Sequence, residues 1–159
     1  MKTQAEFINK AQELLEHNPE ALEFICIHNE FAHAADDIVD KEDLSAENKA
    51  TKLLTFLNYY RHPYYVKHAN NGLEMLSLIN HIMYEISVKW EKSNDPAKIN
   101  AASILRHNSI GMLFAVIAIE CGSNTANKWA SEFMEHTLYA HLQDEEFKIC
   151  SKEIITNPA

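Results

Sequence analysis

Punctuation is scarce in this chain. Three glycines and four prolines serve 159 residues. That is too few for the corners of an all-β fold and suits long helices with few turns. Between these breaks apolar residues recur at helical spacing, as in Phe7, Ile8, Ala11, Leu14 and Leu15, and no segment sustains a period-two alternation. The pattern predicts helices from Thr3 to about His17, Pro19 to about Asp40, a Ser45 cap to about Arg61, and Tyr65 to about Glu91. Two more are predicted, from Pro96 to Cys121 and from a Ser123 cap to about Ile155. Asn18 before Pro19 reads as an N-cap, His62-Pro63 as a break, Asn70-Asn71-Gly72 as a weak point and Ser93-Asn94-Asp95-Pro96 as a turn and cap. The expected fold is one all-α domain over residues 1–159, a compact bundle of roughly five to seven helices.

An apolar share of 47% is enough for a globular core. The formal net charge of −9 argues against nucleic acid and against an anionic membrane surface, since both need a basic face. Arg61 and Arg106 are the only arginines, so a phosphorylated ligand is expected to be gripped mainly through metal ions. Cys26, Cys121 and Cys150 follow no metal-like spacing and read as buried free thiols of a reducing cytoplasm. The first residues lack an apolar signal region, and the run Ile110–Ile119 is too short to span a bilayer. That run is expected to be a helix buried in the middle of the protein.

The second helix carries the most chemistry. At about 100° per residue, Glu30, His33, Asp36, Asp37 and Asp40 share one arc of about 120°, opposite Phe24, Ile27, Phe31, Ala34, Ala35, Ile38 and Val39. Residues 11–40 hold eight acids and no lysine or arginine. Unmixed charge repels at i,i+4, and acids near a helix C-terminus oppose its dipole. A bound divalent cation would reverse both penalties. Glu30, Asp36, Asp37 and Asp40 are therefore candidate metal ligands, for Mg²⁺ or Mn²⁺ with iron as the alternative. A solvated outer face is the plainer reading of the same pattern.

The run Ala34-Ala35-Asp36-Asp37-Ile38-Val39-Asp40 resembles the end of the first aspartate-rich motif of squalene and phytoene synthases, with His33 where that family usually has an arginine. The resemblance covers about sixteen residues, Ile25 to Asp40. It implies a terpenoid-synthase-like bundle in which Asp36, Asp37 and Asp40 hold Mg²⁺ ions that grip a diphosphate and help it ionise.

A facing cluster is expected on the last helix, where His141, Asp144 and Glu145 fall on the apolar side set by Trp129 and Phe133. Either the helix emerges from the core there or these groups face the aspartates as ligands and acid–base partners. Asp144 and Glu145 join the candidate metal set, and His33 and His141 are the candidate catalytic residues. Arg61, Lys67 and Arg106 are the basic residues placed for a phosphate, with generic surface use as the plainer reading of each. His107 is expected to be a hydrogen-bonded core histidine, His81 with Glu85 and Lys89 a surface group, and the Tyr59-Tyr60 and Tyr64-Tyr65 pairs packing around a break.

Three functions compete. The first is a metal-dependent enzyme acting on a small diphosphate or phosphate ester, by isoprenoid-synthase-like or pyrophosphohydrolase chemistry. A second is a carboxylate-bridged di-iron protein using Glu30-x-x-His33, although such bundles use two of these pairs. The third is a non-catalytic protein whose acidic face docks a partner. The expected setting is cytoplasmic, with a homodimer among the expected states.

Overall fold

A computed structural model describes residues 4–138, and these are all-α with no strand. The elements are α1 (Gln4–Leu15), α2 (Pro19–Asp40), α3 (Ala46–Arg61), α4 (Pro63–His68), α5 (Leu73–Glu91), α6 (Pro96–Arg106), α7 (Gly111–Cys121) and α8 (Ser123–Phe133). Short 3-10 turns occupy Ala69–Asn71 and His107–Ile110, and a π-helical turn covers Met134–Leu138.

Local chemistry explains most boundaries. Asn18 caps α2, its side chain accepting from the Ala21 N–H at 3.3 Å, with Pro19 at the first position. Ser45 caps α3 through the Asn48 N–H at 3.2 Å, and Asp95 caps α6 through the Ala97 N–H at 3.0 Å. The expected stretch from Tyr65 to Glu91 divides at Gly72, whose φ of 107° lies in the left-handed region. The last cap was misread. Gly122, at φ 86° and ψ 156°, is the capping residue, and Ser123 is already helical with no capping bond from Gly122.

The expected helix from Pro96 to Cys121 is also divided, by the 3-10 turn at His107–Ile110. His107, Asn108, Ser109 and Gly111 are all weak helix formers, and tertiary partners also hold the break. The buried His28 ring on α2 donates from Nε2 to the Ser109 carbonyl at 2.9 Å, and Asn108 donates to the Asn80 side chain at 3.1 Å. Together residues 96–121 are apolar and long enough to cross a membrane by composition. In the fold their apolar second half contributes to the core, with Met112, Leu113, Val116 and Ile117 buried.

α7 is the central post and packs against α1, α2, α5 and α8. A second centre is aromatic, as the two tyrosine pairs suggested. Phe24 stacks on Tyr59 (5.3 Å) and Tyr64 (5.4 Å), and Phe31 stacks on Tyr59 at 4.3 Å between ring centroids. Each large side chain closed off from water here contributes about 1.5–3 kcal/mol. α2 pairs with α3, and α5 pairs with α6. The two hairpins meet along α7 and leave a cleft between α2 and α5.

Candidate functional site

The cleft holds about 380 Å³, within the usual range for small-ligand sites. Its floor is the α2 stripe of His28, Phe31, Ala32, Ala35 and Val39. The alanines keep that floor low. Tyr59 closes the α3 side, and His81, Tyr84, Val88 and the Glu85–Lys89 ion pair (2.6 Å) form the α5 wall. From His28 to Val39 the helix rises about 16 Å at 1.5 Å per residue, which sets the length of the trough.

At one end the walls become charged. The Tyr84 hydroxyl donates to Asp36 at 2.8 Å, and the Arg106 guanidinium lies over the Tyr84 ring, 5.7 Å from its centroid. Arg106 also reaches both Asp40 oxygens, at 3.2 and 3.4 Å, and bonds Glu91. One polar chain thus runs from Asp36 through Tyr84 and Arg106 to Asp40 and Glu91, joining α2, α5 and α6. Burial, then the Asp36 carboxylate, pushes the Tyr84 phenol well above its ordinary range, so it acts as a donor. For Arg106, burial opposes the charge, but Asp40 and Glu91 more than offset it and hold the guanidinium firmly charged.

The other end is neutral. His28 is 8% exposed, and burial lowers its pKa to about 4 despite the Ser109 hydrogen bond. Because a carbonyl only accepts, Nε2 carries the proton and Nδ1 is a bare lone pair with no hydrogen-bond partner among the described residues. Midway, His81 is held in the opposite tautomer. Its Nδ1 donates to the Ser77 carbonyl at 2.6 Å, and its Nε2 accepts from the Tyr60 hydroxyl at 3.0 Å. Burial first, then Tyr65, moves the Tyr60 pKa up to about 12, so the phenol is the donor of that pair.

The acidic face of α2 divides between two neighbours. Asp36 and Asp40 turn toward α5 and α6. Asp37 turns toward α3 and is taken by Lys41 (2.8 Å) and Lys52 (2.5 Å). Those two lysines hold its pKa at about 2, Lys41 the more strongly. Glu30 and His33 are exposed on α2 and do not line the cleft. Arg61 and Lys67 are exposed elsewhere, so of the three expected phosphate contacts Arg106 alone stands at the cleft. His141, Asp144 and Glu145 lie outside the described residues. Among the described residues no three histidine, cysteine, aspartate or glutamate side chains form a group that could hold a metal.

His81, Glu85 and Lys89 are exposed, as expected, and all three also border the cleft. Two expectations are corrected. His107, expected in the core, is exposed and bonds the Ser103 carbonyl at 2.7 Å. Cys26 is exposed and Cys121 only half-buried, its thiol 3.2 Å from the Leu14 carbonyl. His28 was overlooked, although its signal was present: it lies about 40° from Phe24 and 60° from Phe31 on the helical wheel, inside the apolar stripe. Comparison with protein families, with characterised proteins and with solved structures finds no match for this chain.

Proposed function

We propose that the cleft binds a small amphiphile, with its hydrocarbon body along α2 and a phosphate or diphosphate head at the Asp36–Arg106 end. The observation that carries this reading is an apolar trough with its charges gathered at one mouth. A methylene takes about the space of a water, roughly 30 Å³, so 380 Å³ suits a body of about a dozen carbons.

The mouth carries more acid than base: Asp36, Asp40, Glu85 and Glu91 stand against Arg106 and Lys89. An anionic head is welcome there only with added positive charge. Mg²⁺ or Mn²⁺ supplies it in this reading, with Asp36 and Asp40, one turn apart, as the two protein ligands. Mg²⁺ commonly takes one or two carboxylates and completes its shell with water and substrate phosphate, so no closed protein cage is required. The ion would polarise the bond to the departing phosphate, giving a transferase or a hydrolase. Arg106 would steady the developing charge; in a transferase the apolar walls would keep water from the reacting carbon, and in a hydrolase water entering at the charged mouth would attack phosphorus.

Decyl diphosphate with and without Mg²⁺ tests the proposal by thermal shift and by phosphate or diphosphate release. Mg²⁺ alone should leave Tm unchanged, and the two together should raise it. At a hundred times Kd the gain is about 2.7 kcal/mol. Asp36→Asn combined with Asp40→Asn should abolish the joint effect. An equal shift in a chelator rejects the metal, and no shift under any condition rejects the ligand.

A further inference from the structure

We infer that the apolar faces of α3 and α5 beside the cleft are the interface of a homodimer. Leu53, Leu54 and Leu57 on α3, with Met75, Leu78, Ile79 and Ile82 on α5, are 39–60% exposed. They are not scattered. On α3, Leu53, Leu54, Leu57 and Tyr60 share an arc of about 120°, and on α5 the four apolar residues share an arc of about 100°. The Tyr60–His81 hydrogen bond joins the two helices at the edge of these arcs, with Leu57 one turn before Tyr60 and Leu78 one turn before His81. The faces therefore adjoin. Together they leave on the order of 600 Å² of apolar surface, at the upper limit for a monomer and close to the roughly 800 Å² that each partner contributes to a standard interface.

Charge selects the occupant. Lys52 pairs with Asp37, Glu85 with Lys89 and Glu91 with Arg106 inside the chain, which leaves Lys49 and Arg61 against Glu47 on α3, and Glu74 on α5. One helix is net basic and its neighbour net acidic. A two-fold axis that lays α3 of one copy on α5 of the other matches both at once, as an isologous contact requires. A generic acidic or basic partner would meet repulsion from one of the two helices.

Sedimentation velocity and light scattering on the full chain, without ligand, test the inference. The expected result is a dimer at tens of micromolar. Leu57→Glu with Ile82→Glu should give a monomer whose helical circular dichroism is unchanged, since both side chains are exposed. Lys49→Glu with Arg61→Glu should weaken the dimer at least tenfold, as should Glu74→Lys. All three charge changes together should restore it. A wild-type monomer at 100 µM, or a dimer indifferent to the Leu57 and Ile82 changes, overturns the proposal. Dimers that ignore the charge reversals overturn the α3-on-α5 pairing. None of these outcomes depends on whether the cleft binds an amphiphile.

Discussion

Consecutive residues of a helix point about 100° apart, and that angle gives Asp36 and Asp37 different neighbours. Asp37 is held by Lys41 at the end of its own helix and by Lys52, which ties α2 to α3, while Asp36 belongs to the cleft mouth. His28 carries a sharper consequence. Its folded pKa, about 4, lies below the ordinary value of 6.5, so below pH 6.5 the unfolded chain binds the extra proton. The stability held by the neutral ring is complete above about pH 6.5 and drains away as pH falls toward 4. Across that window the loss is about 3 kcal/mol. Urea melts at pH 7 and 4.5 should show this slope. His28→Gln, which keeps a donor for the Ser109 carbonyl but does not titrate, should remove most of it. An unchanged slope in that variant would clear His28 of the effect.

At the scale of elements, the ends of helices were easier to read than their interruptions. Asn18, Ser45 and Asp95 each satisfy a free N–H of the first turn, a purely local act. The turn at His107–Ile110 is different, since its carbonyl and amide groups are engaged by His28 and Asn80 from other helices. Gly122 marks the opposite extreme, a local demand that only glycine meets. Its φ of 86° with ψ of 156° is a conformation closed to other residues, and a Cβ placed there would touch nothing within 4 Å. Gly122→Ala should therefore cost about 2 kcal/mol from backbone strain alone. A chemical denaturation curve measures it, and a loss below about 0.5 kcal/mol would contradict the strain argument.

For the molecule as a whole, the two proposals meet at the open side of the cleft. α3 and α5 flank that side, so a second copy seated on them would roof the bound hydrocarbon. Binding and association would then be linked, and the coupling must be equal in both directions. Saturating decyl diphosphate with Mg²⁺ should tighten the dimer by about fivefold or more. Sedimentation with and without the ligand reads this directly. Equal dimer affinities would show that the interface leaves the cleft open.

The sequence by itself determined the all-α class, most helix boundaries, the buried run of α7 and the amphipathic character of α2. These follow from spacing along the chain and from bonds between residues three or four apart. Tertiary structure alone decided that Asp36 meets a phenol, that Arg106 is drawn to Asp40 and Glu91, and that His81 borders a cleft. Each of these contacts joins residues distant in sequence. The angle of a side chain about its own helix can be computed from the sequence. Which helix stands opposite depends on how the hairpins pack around α7, and no local pattern encodes that.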